Sequence, residues 1–215
     1  PQTDKIREIV ETEFKDAPLI IEASFGFSAD VPDKHRLVNP ELGGGSIMDI
    51  GCYPMSMSRL VIGAQHGKPF LNPISIEAKG ELSPKNIDLN AEAELEFING
   101  SKAFISSAIN KTLKNSLLIS NEKKSLSVSE PWQCGEQNNR QSEITFKQEG
   151  KEDRIIKFKE DKGVFTHEID HFVDLLNRKE NQSEKISHSD SHGNMIWLDT
   201  WRKKVGVYYA ADNAE

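Results

Sequence analysis

Apolar residues recur along the chain with two different periods. Ile6, Ile9, Val10 and Phe14 fall at helical spacing behind Thr3 and Asp4, either of which can cap a helix ending near Lys15, ahead of Pro18. Residues 19–28, LIIEASFGFS, are rich in Ile and Phe and alternate from Glu22 onward, which predicts a strand buried at its start. Residues 29–42 carry Pro32, Asp33, Asn39 and Pro40 without a period and read as a loop that delivers the chain to Gly43, Gly44 and Gly45. Over residues 46–62, Ile47, Met48, Ile50, Met55, Leu60 and Val61 supply apolar surface on most sides, the pattern of a buried helix. His66-Gly67-Lys68-Pro69 is its stop signal.

Beyond Pro69 the period shortens to two, with strands predicted near 73–82, 88–98, 102–110, 114–120, 124–129, 142–148 and 153–159. Asn99-Gly100-Ser101 and Glu149-Gly150-Lys151 read as hairpin turns, and short hairpins join only antiparallel strands. Ala91, Ala93, Leu95 and Phe97 alternate with Glu92, Glu94 and Glu96, so one sheet face is apolar and the other charged, and helices cover one face only. Helical period returns over 165–178 through Phe165, Ile169, Phe172, Val173 and Leu176, and over 189–211 through Met195, Leu198, Trp201, Val205 and Tyr208. This order predicts an α+β two-layer sandwich: a large, mostly antiparallel sheet with helices on one face, residues 1–215 forming a single domain.

A net charge of -7 argues against a nucleic-acid partner, which requires a clustered positive surface. No apolar run approaches the roughly 18 residues of a membrane span, so no membrane role is expected. Cys52 and Cys134 form no CxxC, which suggests neither a metal knuckle nor a disulfide scaffold and fits a reducing, cytoplasmic compartment. The chain opens at Pro1 without Met, as though it were part of something longer.

Chemistry is concentrated in the stretch from Gly43 to Pro54. Asp49 and Tyr53 stand four apart and project from one helix face, with Cys52 and Ser56 beside them. An aspartate on a buried helix is costly unless something pairs with it. The plain structural reading makes Asp49 a hydrogen-bonded core carboxylate, Tyr53 a core aromatic and Cys52 a small apolar residue. Pro54 cannot donate to the carbonyl of Ile50 and is expected to kink the helix just past these residues. A competing motif is His167-Glu168-Ile169-Asp170-His171, which matches the zinc-protease pattern HExxH. On a helical wheel Phe165, Ile169, Phe172 and Leu176 form the core side, and His167 and His171 lie opposite, facing water with Asp174. A zinc site needs both imidazoles in a cleft with a third ligand such as Glu184, His188 or His192, so no metal is expected. A non-catalytic binding or dimerisation module is the remaining alternative.

The segment GGGSIMDIGCYPMSMSRLVIG is similar to the signature of the C-terminal domain of the Gfo/Idh/MocA oxidoreductases, and the wider pattern resembles the branch of dihydrodiol and sugar 1-dehydrogenases. ASFGF at 23–27, Arg36 ahead of the glycines, Pro1-Gln2 before the first helix, and Gly206 with Tyr208 also match. The resemblance implies the second half of a dehydrogenase whose first half, a Rossmann domain ending in a Glu-Lys-Pro motif with a catalytic lysine, is absent from this chain. It implies NAD or NADP bound mainly by that absent domain, a sugar, polyol or diol substrate, and a homo-oligomer formed through the open sheet face. By the same resemblance Asp49 and Tyr53 are catalytic, Arg36, Gly44 and Gly45 stand near substrate or cofactor, and this chain alone is inactive. Gly43, Gly45 and Gly51 do not follow a strand with dinucleotide-fingerprint spacing.

Overall fold

The structure, a computed structural model, describes residues 1–15, 17–133, 141–158 and 162–213. The chain forms helix α1 (Gln2–Glu13), strand β1 (Ile20–Gly26), a π-turn (Ile47–Gly51) running into α2 (Cys52–Gln65), strands β2 (Ser75–Leu82), β3 (Asp88–Glu96), β4 (Lys102–Ala108), β5 (Leu117–Ser120), β6 (Lys124–Val128), β7 (Ser142–Gln148) and β8 (Arg154–Phe158), then α3 (Val164–Arg178) and α4 (His188–Val205). All eight strands join one sheet in the order β2-β3-β4-β1-β5-β6-β7-β8. Only β1 and β4 pair in parallel; the other neighbours are antiparallel. The fold is an α+β two-layer sandwich.

The hairpin glycines do what their positions require. Gly100 (φ 80°) closes β3 onto β4 and Gly150 (φ 74°) closes β7 onto β8, both in the left-handed region open to glycine. In β1 the alternation begins earlier than Glu22: Leu19, Ile21, Ala23 and Phe25 point inward while Ile20 is exposed. Leu19, Ile21 and Ala23 meet Ile6, Ile9, Val10 and Phe14, Met55, Val61 and Ile62 of α2, and Leu198 and Trp201 of α4 in one core, while Phe25 joins a second cluster with Leu37, Ile50, Ile87 and Ile109. The Gln65 side chain at the end of α2 donates to the carbonyls of Phe14 (2.6 Å) and Ala17 (2.7 Å), and buried Arg59 reaches Asn72 (2.9 Å) and the Asp190 carbonyl (3.1 Å). These bonds lock α1, α2 and α4 into one layer, because each occupies a backbone or amide group that burial would otherwise leave unpaired.

Three expectations need correction. Helix α1 starts at Gln2 behind Pro1 and has no side-chain cap, so neither Thr3 nor Asp4 plays that part. Helix α4 stops at Val205, because Gly206 takes a left-handed conformation (φ 97°), and Tyr208 lies beyond the helix. Arg202 folds the tail back by donating twice to Asp212, each bond 2.6 Å. Helix α3 is turned the other way from the sequence reading: Phe165, Ile169, Phe172, Val173 and Leu176 are exposed, while Leu175 is buried and His167 and His171 are half-buried. Periodicity establishes that a stripe exists but not which neighbour it meets. Here His171 is held by the Ser183 hydroxyl (2.8 Å), and Arg178 gathers Asp174, Glu180 and Glu184.

Among the described residues no helix covers the second sheet face. Glu22, Glu77, Glu92, Glu94, Phe104 and Leu118 line a trough there of about 630 Å³. No helix among the described residues is long and apolar enough to cross a membrane. Cys134 and the predicted end of the last strand at residue 159 lie outside the described residues.

The two faces predict opposite responses to truncation. Leu95 is fully buried on the helix side, so Leu95→Ala is expected to cost about 2–5 kcal/mol. Ser127→Ala on the open face is expected to stay within about 0.5 kcal/mol. Urea unfolding of both variants checks this, and equal losses would contradict a one-sided core.

Candidate active site

The path to the site begins in the loop after β1. The Asn39 side chain accepts from Glu41 N–H (3.0 Å) and caps a short 3₁₀ turn, Pro40–Leu42, which Gly43 ends in the left-handed conformation (φ 69°). Gly44 donates to the Asn39 carbonyl and Gly45 to the Leu37 carbonyl, both at 3.0 Å. A Cβ on Gly44 would stand 2.9 Å from backbone atoms of Arg36 and Asn39, and one on Gly45 (φ 126°) would overlap the Asp88 carboxylate. Both glycines are buried, and the room they leave is used by this chain's own atoms.

Asp88 opens β3 and is completely buried. It accepts from the Ser46 hydroxyl (2.8 Å) and the Ile47 N–H (2.7 Å), so it grips the first residues of the π-turn. The Ser46 hydroxyl also meets the Ser107 hydroxyl on β4 (2.9 Å), and the Tyr209 hydroxyl donates to the Gly44 carbonyl (2.9 Å). Among the described residues the other Asp88 oxygen has no partner. Burial pushes the Asp88 carboxyl above its ordinary range, against the hydrogen bonds from Ile47 and Ser46. Burial, with Asp88 nearby, pushes Tyr209 up to about 12.

The anchored turn presents the predicted residues. Asp49, its side chain 15% exposed, pairs with Arg36, whose own side chain is mostly open to solvent. That pair supplies the partner a nearly buried carboxylate needs, and the bond to Asp49 raises the Arg36 pKa. Tyr53 is 41% exposed, with its ring edge-on to Phe25 (5.2 Å, 81°) and 6.1 Å from Trp132. Phe25 and Trp132 stack at 6.0 Å, and the Trp132 indole donates to the Ser24 carbonyl (2.8 Å). Burial first, then Cys52, Glu168 and Asp49, raise the Tyr53 pKa, so the phenol is a proton donor at neutral pH. Burial likewise pushes the Cys52 thiol up to about 11, which fits a packed residue rather than a nucleophile.

The departure from α geometry that the structure shows is a π-turn upstream of Pro54, whose ring has no N–H to give the Ile50 carbonyl. The HExxH residues are not assembled as a metal set: His171 bonds Ser183, and Glu168 bears on Tyr53. Among the described residues no group of three or more His, Cys, Asp or Glu side chains is arranged to hold a metal ion.

Sequence reasoning missed Asp88, Ser107, Trp132 and Tyr209. Strand alternation pairs Asp88 with outward Asn90 and Glu92, but the register of β2 against β3 shifts between Glu81 and Leu82, and the shift turns Asp88 inward. The one available signal was a carboxylate set between Ile87 and Leu89.

The sequence profile for the GFO/IDH/MocA C-terminal domain matches residues 3–127. This chain belongs to the GFO/IDH/MocA family. Trans-1,2-dihydrobenzene-1,2-diol dehydrogenase of Xenopus tropicalis is 26% identical over 218 residues, covering 97% of this chain and 61% of that protein. D-xylose 1-dehydrogenase (NADP(+)) 2 of Haloferax volcanii is 35% identical over 65 residues, 29% of this chain and 19% of that protein. Among solved structures, a 3-ketoreductase from Actinomadura kijaniata in complex with NADP and TDP-benzene aligns with a TM-score of 0.77 at 16% identity, over 95% of this chain and 59% of that one. An aldose-aldose oxidoreductase from Caulobacter crescentus complexed with glycerol aligns at 0.76, also at 16% identity, over 95% and 58%. These two likenesses bear on the fold, and this family member spans under two thirds of each relative.

The Asp88 anchor predicts a pH signature. A carboxyl with a higher pKa folded than unfolded contributes its full stability below the ordinary carboxylate range and loses it as pH rises through the raised value. Asp88→Asn keeps an acceptor for Ile47 and cannot ionise, so its urea midpoint is expected to lose that decline. Asp88→Ala strands the Ile47 and Ser46 donors and is expected to cost about 1–3 kcal/mol. An unaltered pH profile in Asp88→Asn would reject the assignment.

Proposed function

We propose that this chain is the substrate-binding and oligomerising part of an NAD(P)-dependent dehydrogenase that acts on a sugar, polyol or diol hydroxyl. The observation that carries the reading is the half-exposed Tyr53 phenol beside an Asp49 held by Arg36. The names of the dehydrogenase relatives support it.

The residues here fit the reacting end of the cofactor and not its diphosphate. Gly44 and Gly45 are packed against Arg36, Asn39 and Asp88 and offer no open phosphate cradle. When bound, the nicotinamide supplies the hydride chemistry. Tyr53 handles the proton: with its pKa raised it is an acid, and in the reducing direction its hydroxyl donates to the oxygen of the substrate carbonyl. In the oxidising direction the phenol needs a cation to act as a base near neutral pH, and the lysine that the family resemblance places outside this chain suits that part. Arg36 orients Asp49, and Asp49 aligns the substrate hydroxyl or that lysine. Phe25 and Trp132 wall the phenol on its apolar side and keep water from the ring. Gly44 and Gly45 act at one remove, by letting Asp88 and the Tyr209 bond set the turn. The open sheet face, with Phe104 among glutamates, is the surface for a second copy.

In the complete gene product Tyr53→Phe keeps the ring and removes only the hydroxyl. Turnover per unit substrate, kcat/KM, is expected to fall at least about 100-fold, about 2.7 kcal/mol, with little change in Tm. Asp49→Asn is expected to fall similarly. A Tyr53→Phe enzyme with unaltered turnover would sink the reading, and micromolar NADPH binding by residues 1–215 alone, followed by nicotinamide fluorescence, would overturn the division of labour.

A further inference from the structure

A buried arginine fastens the segment that follows α4. Gly206 turns the chain out of the helix (φ 97°) and Val207 is fully buried, while Tyr208, Ala210 and Ala211 stand exposed. Arg202, only 4% exposed, donates to Asp212 through both terminal nitrogens (2.6 Å each), to Asp199 through Nε (2.8 Å) and to the Val207 carbonyl (3.4 Å). Asp212 also accepts from the Tyr209 N–H (2.8 Å), and the guanidinium carbon of Arg202 lies 4.7 Å from the centre of the Tyr209 ring. A two-pronged arginine–carboxylate bond fixes orientation as well as distance, because the fork is planar and rigid. The bonds from Arg202 hold the Asp212 carboxyl well below the usual carboxylate range, so the fork persists into acid. What the fork orients is the Tyr209 ring.

That ring carries one polar atom, and it reaches back across the fold. The Tyr209 hydroxyl donates to the Gly44 carbonyl (2.9 Å), 165 positions earlier in the chain. Burial, with Asp88 nearby, keeps the phenol protonated, so it is a donor at any working pH. Gly44 sits at the centre of the loop ahead of the π-turn: its N–H reaches the Asn39 carbonyl, the next N–H reaches the Leu37 carbonyl, and its α-carbon packs on the carbonyl of Arg36. The same loop supplies Arg36, which bonds Asp49 with a side chain 65% exposed. An arginine that open to water is not held by packing, and an exposed ion pair contributes little of its own, so the pair depends on where the backbone places its cation. We infer that Tyr209 is a positioning residue for the candidate active site: clamped by Arg202 and Asp212, its hydroxyl pins the Gly44 carbonyl and sets the loop from which Arg36 engages Asp49. The two halves of that ion pair are then held by different elements. Asp88 on β3 ties down the turn that carries Asp49, and the segment after α4 ties down the loop that carries Arg36. The consequence for turnover rests on the dehydrogenase reading.

Arginine labelling with phenylglyoxal, followed residue by residue by mass spectrometry on the complete gene product, tests this without reading turnover. Tyr209→Phe keeps the ring against Arg202 and removes only the hydroxyl. In that variant Arg36 is expected to label roughly two- to tenfold faster, the range that one hydrogen bond supports, because a guanidinium released from Asp49 loses the bond that raises its pKa and reacts more readily. Arg7, Arg154 and Arg178 make none of these contacts and are expected to keep their rates. Asp212→Asn weakens the fork and is expected to act in the same direction, while Tyr209→Phe combined with Asp49→Asn is expected to label no faster than Asp49→Asn alone. In NADP-coupled assays against a panel of aldoses and vicinal diols, Tyr209→Phe is expected to lower kcat/KM by a similar factor. An unaltered Arg36 rate overturns the proposal, and so does a rise shared by all four arginines, which would make the hydroxyl a general stability contact. Faster labelling of Arg36 with unaltered turnover, in a product that Tyr53→Phe disables, also overturns the positioning role. Faster labelling in a product whose turnover ignores Tyr53→Phe upholds the tie from Tyr209 to Arg36 and rejects the dehydrogenase reading instead.

Discussion

The placement of the candidate catalytic turn depends on one buried carboxylate. Asp88 enters β3 with no solvent exposure, and its hydrogen bonds go to Ser46 and Ile47, the residues that start the π-turn. A carboxylate in that position is tolerated because donors converge on it, one of them a backbone N–H at the positive end of a helix. Its second oxygen closes on the α-carbon of Gly45, where any side chain would collide. The glycine and the aspartate are thus one device: the missing Cβ admits the carboxylate, and the carboxylate ties the start of the turn that carries Asp49, and leads into Tyr53, to β3. Ser107 and Tyr209 extend the grip to β4 and to the tail after α4.

Much of the architecture was legible because it is local. Gly100 and Gly150 sit where hairpins must reverse, and the alternation of Ala91, Ala93 and Leu95 with Glu92, Glu94 and Glu96 states which face is dry. The insertion of β1 between β4 and β5 was not legible. Its parallel pairing with β4 joins residues about eighty positions apart, and no turn residue announces such a contact. Asp88 escaped notice for a related reason, since an irregularity in its own strand, where Leu89 is skipped between the pairs Leu82–Asp88 and Glu81–Asn90, decides that it faces inward.

The candidate site divides along the same line. Asp49 and Tyr53 are four apart on one turn, so their association could be read from spacing, whereas Trp132 reaches the Tyr53 ring from the segment after β6, through its bond to Ser24. Helix α3 exposes a deeper limit. Its hydrophobic period is correct and its orientation was misread, because a helical wheel measures contrast between faces and carries no information about which body the apolar face meets. Here the stripe faces out, and the histidines that looked solvated turn inward beside Leu175 and Ser183.

The electrostatics around Tyr53 explain why the chain would need a partner for chemistry and not only for cofactor binding. Burial, Cys52 and the carboxylates of Glu168 and Asp49 all act in one direction, holding the proton on the phenol oxygen. The nearby cation, Arg36, is already committed to Asp49. A phenol in this setting is a stable donor and a poor base, since ionising it would place a third negative charge beside the other two. Reversible proton transfer requires a positive group brought within a few ångströms of the hydroxyl from the side that is open, the 41% of Tyr53 that this chain leaves uncovered. The exposed hydroxyl and its acidic neighbours therefore impose one demand on the chemistry: a cation that reaches Tyr53 from its open side.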